Sequence, residues 1–167
     1  MKKPLTENEL LFLQIQELTL TLDYVNAYVF TKDCQGSYTY ANKKVCDLFK
    51  CSLDKLIGKT DAAFFDLATT EKLQENDQRV IEHGETIEYE EINIIKTTNE
   101  RRIYSCKKSP LRNNKGEVTG ICGIATDITT QRALEAKVEK QKRLIERMLD
   151  NKELMIKATQ TLIKNVF

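Results

Sequence analysis

Tryptophan is missing from this chain, histidine occurs once, and neither glycine nor proline appears after Gly123. The last absence matters most, because the two residues best able to break a helix are gone from the entire C-terminal segment. No CxxC spacing occurs among Cys34, Cys46, Cys51, Cys106 and Cys122. Their odd number leaves at least one unpaired in any intramolecular disulfide scheme, so reduced thiols acting as small hydrophobes are the simpler reading. With a single imidazole, a structural zinc site would have to gather thiolates from scattered positions, and no metal site is expected. Neither sign of charge prevails: 26 basic and 25 acidic side chains leave +1. That excludes a global pull toward nucleic acid or an acidic membrane, and no nucleic-acid partner is expected. A membrane-spanning run is lacking too. The longest apolar-rich stretch, Leu10 to Leu22, is interrupted by Gln14, Gln16, Glu17, Thr19 and Thr21, and it is too short and too polar to cross a bilayer. Lys2 and Lys3 precede it with no small-residue cleavage site behind. The expectation is a cytoplasmic protein with one domain plus helical extensions in its 167 residues.

What is present reads as helix, strands, helices, strands and helix. Thr6 to Glu9 form a capping box. Leu11, Ile15, Leu18 and Leu22 then recur at helical spacing, widened by Leu10 and Leu13. Residues 1–22 are thus an amphipathic helix whose stripe packs either on its own domain or on a second subunit. Tyr24 to Lys32 and Ser37 to Ala41 are predicted strands around a turn at Asp33 to Gly36. Asn42 caps a helix carrying Val45, Leu48 and Phe49, and Ser52 caps a short turn. Thr69 or Thr70 opens a longer helix through Leu73, Val80 and Ile81 that ends near Gly84. Thr86 to Ile95, Arg101 to Leu111 and Glu117 to Ile128 complete a meander with turns near Thr98 and at Asn113 to Gly116. With the first of these turns centred near Thr98, Glu90 falls opposite Lys107 and Ile94 opposite Ile103. The pattern predicts an α+β fold, a five-stranded antiparallel sheet with short helices on one face.

Several of these stretches carry a family resemblance. AYVFTKDCQGSYTYANKKVCDLF, LIGKTDAAFF, RVIEHGETIEYEE, RRIYSCKKSPLRNNKGEVTG and VTGICGIATDITTQR occur in that order. Together they resemble a PAS sensory domain over residues 23–129, closing in the PAC motif and leading into a signalling helix over 130–167. The resemblance implies a ligand held, when there is one, between the sheet and the short helices. The apolar residues aimed there are Phe30, Val45, Leu48, Ile57, Phe64, Phe65, Leu73, Ile92, Ile94, Ile103 and Ile124. They line a ligand pocket or simply close the core. A domain this small needs most of its large apolar residues for stability, which favours the second.

The pattern requires no cofactor. Some members of the resembled family bind haem through a histidine on the helix that His83 ends. His83, however, directly precedes Gly84, where an imidazolium has an ordinary role at the helix C-terminus. Neither Cys46 nor Cys51 stands in the Asn-Cys-Arg-Phe setting of the flavin-adduct subclass, so neither haem nor flavin is expected. The candidates for enzyme chemistry are Glu88, Glu90 and Glu91, which read as a strand surface balanced by Lys107, and a Cys–His pair in which His83 meets a cysteine brought near by the fold. Gly120 to Gly123 is too short for a dinucleotide fingerprint and lies within a strand.

The C-terminal segment carries the better-founded mechanism. Leu134, Val138, Gln141, Ile145, Met148, Lys152, Met155, Thr159 and Leu162 follow steps of four and three, the spacing of a coiled-coil seam. The apolar members Leu134, Val138, Ile145, Met148, Met155 and Leu162 are the candidate homodimer contacts, while Leu149, Ile156 and Ile163 form a neighbouring stripe. Fully helical, residues 130–167 would extend about 57 Å. Asp127, Ile128 and Thr129 are the candidate junction: Asp127 as an anchor, Ile128 as a wedge into the core, Thr129 as an N-cap. An apolar stripe reaching the last residue reads as a fragment whose output domain, a histidine kinase, diguanylate cyclase or transcription regulator, belongs to a longer parent. The expected function is non-catalytic sensing of a small ligand or partner, relayed through a dimeric helix. A ligand-free dimerisation scaffold is the alternative.

Overall fold

Thr6 starts the first helix, α1 (Glu7–Tyr24), by accepting from the Glu9 amide while the Glu9 carboxylate accepts from Thr6. The computed structural model describes residues 5–166, with side chains as far as Thr161. After α1 come β1 (Tyr28–Asp33), β2 (Tyr38–Ala41), α2 (Lys43–Phe49), α3 (Leu53–Leu56), a 3-10 turn (Asp61–Ala63) and α4 (Leu67–His83). The strands β3 (Ile87–Ile95), β4 (Glu100–Arg112) and β5 (Val118–Asp127) follow, and α5 (Thr129–Val166) ends the chain. Residues 1–128 form one compact unit and residues 129–167 a second.

All pairings in the sheet are antiparallel, in the order β2-β1-β5-β4-β3. Turn chemistry explains much of this. Gly36 and Gly116 take the left-handed conformation at the two outer hairpins (φ 79° and 83°), which costs glycine nothing. The β3–β4 connection is tighter than expected: Asn99 adopts φ 55° and its amide donates to the Ile95 carbonyl. The register therefore sits two residues away from the expected one. Glu88, not Glu90, lies opposite Lys107, and Ile92, not Ile94, lies opposite Ile103.

Caps are satisfied as the residue chemistry dictates, with one displacement. The Asn42 side chain accepts from the Val29 and Val45 amides and donates to the Leu22 and Ala27 carbonyls, which seats α2 beside the end of α1. For α4 the cap is Asp66, accepting from the Thr69 amide at 2.9 Å. Thr69 and Thr70 sit inside the helix instead. Ser52 precedes α3 but makes no side-chain cap bond.

The main apolar core lies between the sheet and α2, α3 and α4. Tyr38, Phe49 and Phe64 form an aromatic group in which Phe49 stacks on Phe64 at 4.1 Å, and Phe65 meets Phe49 edge-on at 5.3 Å. Along α1, by contrast, Leu11, Ile15 and Leu18 are exposed, and none of its residues is buried. Its stripe does not pack on its own domain. In the second unit, α5 is one continuous helix on which Leu134, Val138, Ile145, Met148 and Met155 are exposed. Leu162 and Ile163 lie outside the residues whose side chains are described.

Candidate functional site

Side chains alternate across a strand, so the helix-facing side of this sheet can be read from its burial. On β1 it carries Phe30 and Lys32, on β4 Tyr104, Cys106 and Lys108, and on β3 Tyr89, Glu91 and Asn93. This face is far more polar than expected. Ile92, Ile94, Ile103 and Ile124 instead share the opposite face, where Ile92 and Ile124 are each 45% exposed. They do not line the interior. The physical reason is that residues alternate across a strand: with Glu91 and Lys108 turned inward, Ile92, Ile94 and Ile103, which are out of phase with them on β3 and β4, turn out, as does Ile124 opposite Lys107.

Charge inside this face is almost wholly paired. Lys32 and Lys108 are each at most 2% exposed, and both donate to Asp77 of α4, Lys32 to Oδ2 at 2.8 Å and Lys108 to Oδ1. Lys32 also donates to Asp61 Oδ2, and the Tyr38 hydroxyl donates to Asp61 Oδ1 at 2.7 Å. Two carboxylates thereby clamp the 3-10 turn and α4 onto strands β1, β2 and β4. Burial would by itself pull the Lys32 ammonium down, but Asp61 and Asp77 outweigh it and hold its pKa above the ordinary lysine value. Burial and then the Asp61 charge push the Tyr38 phenol well above its usual range.

Beside this network lies an interior cavity of about 40 Å³. Tyr28, Phe30, Tyr38, Val45, Leu48, Phe49, Phe65, Leu73 and Ala125 supply its apolar wall, and Asp61, Glu91, Asn93 and Tyr104 its polar groups. Of the expected pocket residues, Phe30, Val45, Leu48, Phe65 and Leu73 are thus brought together. Phe64 packs against the core behind Phe49, while Ile57 is 42% exposed. Room for Phe30 comes from Gly123, where an added Cβ would fall 2.2 Å from the ring.

Glu91 is 5% exposed. Its Oε1 accepts from Asn93 Nδ2 at 2.9 Å and from Cys106 Sγ at 3.2 Å, whereas Oε2 makes no close hydrogen bond. The buried hydroxyls of Tyr89 and Tyr104 make no close hydrogen bond, but Tyr89 lies beside the Glu91 carboxylate and Tyr104 beside Arg102 and Tyr28. Burial, then the Glu91 charge, drives the Tyr89 phenol and the Cys106 thiol far upward, so that thiol is no nucleophile.

At the sheet's far end, Tyr104 pairs in register with Asp127, and its ring meets Tyr28 edge-on at 5.5 Å. Arg102 reaches Asp127 at 3.4 Å and Glu100 at 2.6 Å. The Ile128 amide donates to the Ile103 carbonyl at 2.9 Å, and the Ile128 side chain is buried. Thr129 is already the first residue of α5. His83 is exposed at the end of α4 and is not among the cavity-lining residues. Among the described residues, no group of three His, Cys, Asp or Glu side chains could hold a metal ion, and no helix is long and apolar enough to cross a membrane.

The sequence profile of the PAS fold family matches residues 22–133. A diguanylate cyclase of Vibrio cholerae is 38% identical over 111 residues, which are 66% of this chain and 35% of that protein. The methanogenesis regulatory histidine kinase FilI of Methanothrix harundinacea is 29% identical over 138 residues, 83% of this chain and 15% of its own length. The chain therefore spans only a minor part of either relative. Among solved structures, the PAS domain of Bordetella pertussis BvgS superposes with a TM-score of 0.56 at 22% identity, covering 78% of this chain and 97% of that one. The VqmA–ligand–DNA complex of Vibrio cholerae gives 0.60 at 23% identity, over 69% of this chain and 51% of that chain. At such identities the likeness carries the fold.

Proposed function

The chain belongs to the PAS fold family, and on that premise we propose that this sensory domain takes a small ligand into its interior and hands the change to an output domain. The observation that carries the reading is a small interior cavity between the sheet and the helices, on which Phe30, Val45, Leu48, Phe65 and Leu73 converge. Tyr104 lies on the same register line as Asp127, the last residue of β5, so a shift of β4 there bears on the end of that strand. From there Ile128 and Thr129 lead into α5, whose exposed Leu134, Val138, Ile145, Met148 and Met155 pair with those of a second copy.

The parent's output is a diguanylate cyclase or histidine kinase, in keeping with the two relatives. The domain itself works in the cytoplasm and performs no catalysis. Nucleic-acid contact stays with VqmA and is not assigned to this chain, whose net charge is +1. The ligand-free scaffold finds its support in the cavity's small volume of about 40 Å³.

Mass spectrometry of freshly purified protein, native against denatured, separates the two. Sensing is supported by a retained small molecule that leaves on denaturation, together with loss of regulated output in the parent carrying Asp127→Ala. An empty interior combined with unchanged regulation in that variant refutes it.

A further inference from the structure

Every cysteine of this chain is a free thiol, yet two of them stand at one helix end. Helix α2 closes with Lys50 in the left-handed conformation (φ 53°), its amide donating to the Asp47 carbonyl, while the Cys51 amide reaches back to the Cys46 carbonyl at 3.1 Å. This is the Schellman closure of a helix, in which the side chains of the residues joined by the longer-range bond meet. Here those residues are Cys46 and Cys51. Backbone bond lengths added to that hydrogen bond keep their Cα atoms at most about 7 Å apart, inside the limit for a disulfide.

The side chains agree with the backbone. Both cysteines are half-buried and pack against the same apolar core. Burial, and next the charge of the Cys51 thiol, raise the Cys46 thiol above its ordinary value, so the two sulfurs lie within electrostatic reach of each other. We infer that Cys46 and Cys51 are a redox-active dithiol, a modification site that closes to an intramolecular disulfide across the end of α2 when it meets a small-molecule disulfide. The Cys51 thiolate, outside the helix, attacks one sulfur of the oxidant and expels the other as a thiolate; the Cys46 thiolate then attacks the Cys51 sulfur and expels the second. The two thiol protons end on those leaving groups, so the chain loses two hydrogens and one external disulfide becomes two thiols. The closed loop contains Leu48 and Phe49, both on the wall of the interior cavity, and the new bond restrains that wall.

The full chain, folded and fully reduced, is exposed to oxidised glutathione, quenched by alkylation and digested with trypsin without reductant. Cleavage after Lys44, Lys50 and Lys55 sets the two cysteines on separate peptides, 45–50 and 51–55, so mass spectrometry reads their linkage directly. The expected result is an intact chain lighter by two hydrogens, with this linked pair in at least about tenfold excess over any other cysteine pairing, as proximity dictates. Cys46→Ser removes the linked pair and leaves Cys51 as a mixed disulfide with glutathione; Cys51→Ser also removes it. Should either variant misfold, the wild-type map decides by itself. Cys46 and Cys51 both alkylated, both carrying glutathione, or linked preferentially to other cysteines overturns the dithiol.

Discussion

Asp77→Ala is the most consequential single change the structure suggests. Asp77 gives one oxygen to Lys32 and the other to Lys108. Lys32 would keep Asp61, but Lys108, whose side chain is 1% exposed, would lose the only carboxylate it is seen to contact. Breaking a buried pair from one side costs about 3–5 kcal/mol, because an uncompensated charge stays behind. A domain of this size holds about 5–15 kcal/mol in total, so the substitution removes a large share of it. Urea unfolding followed by far-ultraviolet circular dichroism measures the loss as a shift in midpoint at constant slope. The paired substitution Asp77→Leu with Lys108→Met removes both charges and is expected to recover most of the loss, as buried pairs replaced by apolar groups commonly do. A cost below about 1 kcal/mol for Asp77→Ala, the level of an exposed ion pair, would refute the argument that this network is shielded from water.

Alkaline unfolding follows from the same groups. Lys32 and Tyr38 both have folded pKa values above their ordinary ones, so above about pH 10 the native state binds more protons than the unfolded chain. Their contribution is complete below that pH and is lost as pH rises through the folded values; urea midpoints should fall beyond about pH 10, less steeply in Lys32→Met. Gly123→Ala places a methyl against the Phe30 ring and should cost about 1–3 kcal/mol, with Phe30 ring resonances shifted as the ring moves into the cavity. Tyr104→Phe deletes a buried hydroxyl that makes no close hydrogen bond; the protein should be unchanged or stabilised by up to about 1 kcal/mol in thermal unfolding. Marked destabilisation would mean that this hydroxyl is satisfied in solution.

Local rules made much of the architecture legible. Thr6 and Asn42 cap the helices they precede, the turns at Gly36 and Gly116 fall where glycine is needed, and the antiparallel strands of the meander follow. Asp66 is hard to single out in the sequence because Thr69 and Thr70 offer equally good capping chemistry nearby. The site was harder. Val45, Leu48, Phe65 and Leu73 follow from helix periodicity or burial, but Lys32, Asp61, Asp77, Glu91, Asn93, Lys108 and Tyr104 do not, because polar residues are ordinarily assigned to solvent. A signal was nonetheless present. Two adjacent lysines on a strand cannot both face water when the other side of the sheet is covered, and Lys107–Lys108 opposite Glu88 and Ile87 required a buried carboxylate somewhere. Which carboxylate answers is a tertiary fact: Asp77 sits 31 positions away, on a helix.

That shared carboxylate also has a consequence for descent. A lineage that alters Lys32, Asp61, Asp77 or Lys108 one at a time passes through an ancestor with a stranded ion in its interior, whereas compensating double changes pass unharmed. These four positions should therefore be inherited as a block, retained together or exchanged together for greasy residues. Relatives that kept the acids without the bases would be the exception that demands explaining.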